Sequence, residues 1–155
     1  MPVLAILLSV LGLVPFVVCG LGALGADPIA SSRMLTALLG YAAVTLAFTG
    51  GLHWGFELQS RQQDSFVQRA RLGLGVLPPL AGWIALLLPL VAAPWIALVV
   101  LIAAYIATVL AEQEAAKRDL VPPRYMRMRW AFTLVAVAMM VTVLTLRLLG
   151  QTIVF

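Results

Sequence analysis

The sequence predicts an all-α integral membrane protein, a compact bundle of five transmembrane helices forming a single domain over residues 1–155. Three observations carry that prediction. Charge is sorted along the chain: Met1–Ala26, Met34–Phe56, Leu72–Ala111 and Trp130–Leu146 hold no Asp, Glu, Lys or Arg. Eight of the ten basic residues fall in two connectors, Arg61, Arg69 and Arg71 in one and Lys117, Arg118, Arg124, Arg127 and Arg129 in the other. With 63% hydrophobic and only 10% charged residues, too little polar surface exists to solvate a globule of this size.

The first helix is expected over about 3–24, with Pro15 inside it, and ends at the turn Gly25–Ala26–Asp27–Pro28. A cleaved signal peptide fits poorly, because no basic residue precedes the block and its apolar stretch exceeds the roughly 7–15 residues of such a segment. Val18 before Cys19 also breaks a lipoprotein box, and a lone cysteine allows no intramolecular disulfide. The second helix spans about 34–57 and gives way to the polar connector Gln59–Arg71. The 40 charge-free residues from Leu72 to Ala111 would form a rod of about 60 Å, twice a bilayer core, so they must fold back on themselves. Pro89 and Pro94 bracket the turn, giving spans of about 72–90 and 95–112. The fourth helix is expected to continue beyond the membrane through Glu112–Arg118, with Glu114 facing Lys117 and Arg118, until Pro122 and Pro123 stop it. The fifth helix runs from about Arg127, with its span at 129–149.

Five spans place the two arginine-rich connectors on the side of the N-terminus. Only Arg33 and Arg147 lie on the other side, so the basic excess makes the first side cytoplasmic and the C-terminus periplasmic. The same residues are expected to meet anionic headgroups of the phospholipid bilayer, which accounts for the basic character without nucleic acid. Trp54, Trp95 and Trp130 fall at span ends, where an indole sits half buried with its N–H near water. Trp83 lies in mid-span and is expected to face protein.

The candidate functional residues concentrate on the second helix. Tyr41, Thr45, Thr49, His53 and Glu57 recur every fourth residue and form one polar stripe, which must hydrogen-bond inside the bundle or line a small wet cavity. Gly50, Gly51 and Gly55 beside it would let another helix approach closely. His53, the single histidine, has three open uses: a structural hydrogen bond, a proton relay towards Glu57, or a ligand to haem or quinone. No cofactor and no metal site is assigned, since no Cys, His and carboxylate spacing suits a metal. Pro78 and Pro79 are read as a kink. Arg129, nearest the hydrocarbon among the connector arginines, has most reason to seek a carboxylate, Glu57 or Glu112, or helix C-terminal carbonyls, a role that a lipid headgroup also fills, and Tyr125 and Trp54 are further candidate interface partners.

These residues, in this order, resemble a family of small bacterial membrane proteins, the domain of unknown function 3429, which also includes the mitochondrial transmembrane protein 69. The resemblance rests on Leu13–Val14–Pro15–Phe16, on Tyr41 followed by Phe48–Thr49–Gly50–Gly51–Leu52–His53–Trp54–Gly55, on the prolines and Trp83 of the third helix, and on Pro123, Tyr125, Arg129 and Thr133. The Gly-Gly-x-His-Trp-Gly run is its most specific part. Arg124 and Met128 depart from the aromatic residue and the leucine expected there. The resemblance implies a bacterial inner-membrane or mitochondrial location and brings no activity.

The functional expectation is a non-enzymatic multi-pass inner-membrane protein that works by lateral helix contacts, as an accessory or assembly factor of a membrane complex or as a homo-oligomer. Two alternatives stand beside it: a small oligomeric transporter or proton-linked conduit along the polar stripe, and haem or quinone binding through His53. An enzyme is not expected, because no nucleophile has a visible base and no phosphate-binding loop is present.

Overall fold

The computed structural model describes residues 3–58, 65–118 and 121–150. Arg61 and the rest of residues 59–64 in the first connector fall outside them, and of Phe56, Glu57 and Arg71 only the backbone is described. The chain there is all helical: α1 (Val3–Leu11), α2 (Val14–Gly22), α3 (Pro28–Leu58), α4 (Ser65–Val91), α5 (Pro94–Ala116) and α6 (Pro123–Leu148).

The expected first span is thus two helices of nine residues each. Pro15 has no N–H for the carbonyl four residues back and its ring crowds that turn, so the helix tightens at Gly12 and Leu13, where Leu13 N–H reaches Val10 O at 3.0 Å. The break leaves the Gly12 carbonyl to accept the Tyr41 hydroxyl at 2.7 Å.

Other boundaries shift for equally local reasons. α3 starts at Pro28, six residues earlier than expected, because the Asp27 carboxylate caps it, accepting from the N–H groups of Ile29 and Ala30 at 3.2 Å each. α4 begins at Ser65 and carries Arg69 and Arg71 within the helix. The turn between α4 and α5 falls at Ala92 and Ala93, after Pro89 and just before Pro94. α6 starts at Pro123, since the residue before a proline is held extended (Pro122 φ −61°, ψ 133°) and Pro123 suits the first helical position. That start puts Tyr125, Arg129 and Thr133 on one helical face.

Three helices are long and apolar enough to cross a membrane, over Pro28–Gly55, Pro94–Ala116 and Arg124–Leu148. The sequence predicts five crossings, and the other two segments are shorter: Leu7–Gly22, interrupted by the break at Gly12, and Gly75–Val91, whose apolar run begins only after the arginines of α4.

α3 lies centrally, packed on α4, α2 and α5. Its closest approach to α4 depends on glycine, for a Cβ at Gly50 would sit 2.6 Å from the Gly75 carbonyl oxygen and one at Gly82 3.0 Å from that of Ala43. Gly51 and Gly55, expected to serve the same purpose, face open space. Phe16 anchors the core, with Tyr41, Tyr105 and Phe132 edge-on to its ring at centroid distances of 5.2, 6.2 and 5.8 Å. Leu24, Leu35, Leu38, Leu98, Leu101 and Met140 close the core around it. The outer faces are apolar: Val44, Phe48, Leu77, Leu90 and Leu134 are all exposed. Trp83 belongs with them. At 60% exposure it points out of the bundle, contrary to the expectation that it faces protein, because the inner face of α4 is taken by Pro78, Gly82 and Ala85.

Candidate functional site

Three helices bring polar side chains to one place near the arginine-rich end, where α3 and α5 finish and α6 begins. α3 supplies Thr49 and His53, α5 supplies Glu112, and α6 supplies Tyr125 and Arg129. Glu112 is the hub. Its Oε2 accepts from Arg129 Nε at 2.7 Å, and its Oε1 accepts from His53 Nε2 at 3.0 Å and from the Tyr125 hydroxyl at 3.3 Å. An ionised carboxylate only accepts hydrogen bonds, so the His53 hydrogen on Nε2 is fixed by this partner. His53 and Glu112 are 0% exposed and Arg129 is 3% exposed, which makes this a fully desolvated ion cluster.

Such a cluster persists only when its charges are mutually satisfied, since a single buried ion costs several kcal/mol. Arg129 is the permanent cation and Glu112 its counter-charge. The guanidinium extends further, with Nη2 donating to Thr49 Oγ1 at 3.4 Å and its carbon 5.8 Å from the centre of the Tyr105 ring. Arg129 Nη1 and Thr133 Oγ1 are buried with no acceptor or donor among the described residues.

Deeper in the bundle the polar column continues. Thr45 Oγ1 and Tyr105 Oη share a hydrogen bond of 2.5 Å, and the Tyr105 hydroxyl also donates to the Ala42 carbonyl at 2.9 Å. One further turn along, Tyr41 reaches Gly12. Beyond Tyr41 the interior is apolar, filled by Leu35, Leu38, Leu98 and Leu101.

The structure therefore turns Tyr41, Thr45, Thr49 and His53 into the bundle and gives each a partner from another segment. The side chain of Glu57 lies outside those described, so its pairing with His53 has no described geometry. Trp54 is 50% exposed and lays its indole edge over Gly75, which explains a glycine there. Glu112, one of the two carboxylates expected as partners for Arg129, takes the central position; what its place in a charged extension obscures is its full burial. The overlooked signal is periodic: Tyr105, Thr108 and Glu112 recur at three and four residues on α5, as Tyr125, Arg129 and Thr133 do on α6.

A cleft of about 370 Å³ opens beside the cluster between α1, α3 and α6. Ser9, Tyr41, Thr45, Thr49, Tyr125 and Arg129 supply its polar lining, and Leu8, Phe48, Leu52, Met128 and Phe132 most of the rest. His53 is not among the residues that line this cleft. Among the described residues no group of His, Cys, Asp and Glu side chains could hold a metal ion. At the far end of the bundle a separate clamp joins α2, α3 and α6, where Arg147 Nη1 donates to the Ala23 carbonyl and to Ser31 Oγ, both at 2.8 Å.

No curated protein and no solved structure matches this chain. The family described as "Protein of unknown function (DUF3429)" matches residues 1–145, and the chain belongs to it.

Proposed function

We propose that this member of the family is a non-enzymatic, multi-pass protein of the bacterial inner membrane that works by lateral helix contacts, as an accessory or assembly factor of a larger membrane complex. The observation that carries the reading is the closed state of its interior charges. Arg129, Glu112 and His53 are engaged with one another, and the core beyond Tyr41 is apolar. A bundle built this way is held together by its polar groups, and its outer faces carry Val44, Phe48, Leu77 and Trp83 exposed. An apolar surface of that extent belongs in lipid or against another protein.

Five crossings and an inside N-terminus belong to the same proposal. α4, at 27 residues, reaches about 40 Å, and α1 with α2 together reach about 30 Å, each enough for a bilayer core. The arginines and lysine of the connectors, the buried Arg129 apart, then face the cytoplasm. Crosslinking in native membranes tests the functional reading. A reproducible neighbour, or a discrete homo-oligomer, is expected; recovery of monomer alone contradicts it.

The polar column from Tyr41 to His53 favours a second reading, a proton-linked conduit. Leu35, Leu38, Leu98 and Leu101 oppose it by closing the path beyond Tyr41. Proteoliposomes decide between the two: proton flux no greater than in empty vesicles is expected, and flux abolished by His53→Ala would install the conduit instead.

A further inference from the structure

We propose that the basic start of α6 and the two apolar grooves beside it bind one anionic glycerophospholipid, with its phosphate on Arg124 and Arg127 and its acyl chains laid along α1. A groove of about 450 Å³ runs between α1 and α6, with Arg124 and Arg127 at its outer end and Val10, Leu13, Ala131 and Phe132 further in. The cleft of about 370 Å³ between α1, α3 and α6 adjoins it, for Ser9, Met128 and Phe132 line both. Ser9 donates to Met128 Sδ at 2.9 Å, so the two helices touch along a ridge with an apolar trough on each side. One headgroup with two chains fits that shape.

Charge selects the ligand class. Arg124 and Arg127 stand three residues apart on one face of α6, both exposed, and neither has a carboxylate partner among the described residues. No Asp or Glu lines either groove, and Glu112 nearby is already neutralised by Arg129. The pair therefore offers uncompensated positive charge, and guanidinium groups match phosphate oxygens with paired N–H donors. Basic pockets between helices at the cytoplasmic surface hold anionic headgroups in this way. The order of features selects a lipid over an acidic protein segment. From Arg124 to Ala131, a rise of about 10 Å, charge gives way to apolar surface, and Val10 on α1 is 58% exposed beside it. A phospholipid carries its phosphate and its chains in that order, whereas an acidic side chain following the grooves would enter hydrocarbon, where charge is costly. A free phosphate would use the arginines and leave both grooves unfilled. The site rests on the proposed placement in lipid, with the arginine-rich end at the headgroups, but on no protein partner, so its failure and a failed crosslink are separate results.

The test is thermal unfolding of the purified, delipidated protein in non-ionic detergent with dioleoylphosphatidylglycerol, dioleoylphosphatidylcholine or glycerol 3-phosphate, each rise read against the same variant without additive. Phosphatidylglycerol at saturation is expected to raise Tm by about 4 °C or more, and the other two by about 1 °C or less. Arg124→Gln combined with Arg127→Gln should bring the phosphatidylglycerol rise down to the phosphatidylcholine level. Arg69→Gln combined with Lys117→Gln, which removes two exposed cations at the same end that line neither groove, should leave it intact. Ala131→Trp, which fills the groove inward of the arginines, should at least halve it. No rise with phosphatidylglycerol overturns the proposal, as does an equal rise with phosphatidylcholine or a rise untouched by Ala131→Trp. An equal rise with glycerol 3-phosphate overturns it in favour of a free phosphate group, and an equal loss in both paired variants in favour of diffuse attraction. The two pairs of exposed residues decide even where Ala131→Trp fails to fold.

Discussion

At the arginine-rich end of the bundle Arg129 is 3% exposed and lies against the Glu112 carboxylate, whereas at the far end Arg147 stays exposed and reaches the Ala23 carbonyl and the Ser31 hydroxyl. Both arginines tie α6 to other helices. The first tie is an ion cluster whose members depend on one another, and the second is a pair of hydrogen bonds in reach of solvent. Loss of one partner should therefore be felt very differently at the two ends.

The largest effect is expected for Arg129→Met, which strands Glu112 without its cation. Unfolding free energy measured in bicelles should fall by about 3–5 kcal/mol. Converting Arg129, Glu112 and His53 together to apolar residues of similar volume should recover most of that loss, since no buried charge then remains unpaired. Next comes the α3–α4 contact. Gly50→Ala drives a Cβ into the Gly75 carbonyl and should cost about 1–3 kcal/mol, while Gly51→Ala, which meets open space, should stay within about 0.5 kcal/mol.

Hydrogen bonds within the polar column rank third. Tyr105→Phe removes the donor to Ala42 and the contact with Thr45 and should cost about 1–1.5 kcal/mol by the same measurement. Arg147→Met should cost about 1 kcal/mol or less, because water can replace part of what it supplies. A loss equal to that of Arg129→Met would erase the distinction between the two ends. Smallest of all, Trp83→Leu should change stability of the isolated protein by less than about 0.5 kcal/mol, in keeping with an outward-facing ring. If the same substitution weakens a crosslink in native membranes, Trp83 marks the contacting face.

Much of this arrangement is legible in the residues. Sorted charge identifies apolar helical segments, and the four-residue recurrence of Tyr41, Thr45, Thr49 and His53 identifies the face of α3 that turns inward. The turn-like appearance of Asp27–Pro28 hides a helix start, because capping geometry only shows once the Asp27 carboxylate meets the following N–H groups. Glu112 is legible as a partner for Arg129 but not as a buried one: beside Gln113, Glu114, Lys117 and Arg118 it looks like a solvated charge. Its phase, one turn beyond Thr108 and two beyond Tyr105, sets it on the buried face instead. Trp83 misleads in the opposite sense. A mid-span indole suggests an interior partner, yet small residues on the other face of α4 are what the packing with α3 requires.

The most direct measurement is a double-mutant cycle between Arg129→Met and Glu112→Met, read as unfolding free energy in bicelles. Two groups in one desolvated cluster should show a coupling of about 2–3 kcal/mol, with the double variant much less destabilised than the sum of the single ones. Strictly additive losses would mean that the two side chains do not depend on each other, and would contradict a self-neutralising ion cluster as the element that joins α5 and α6.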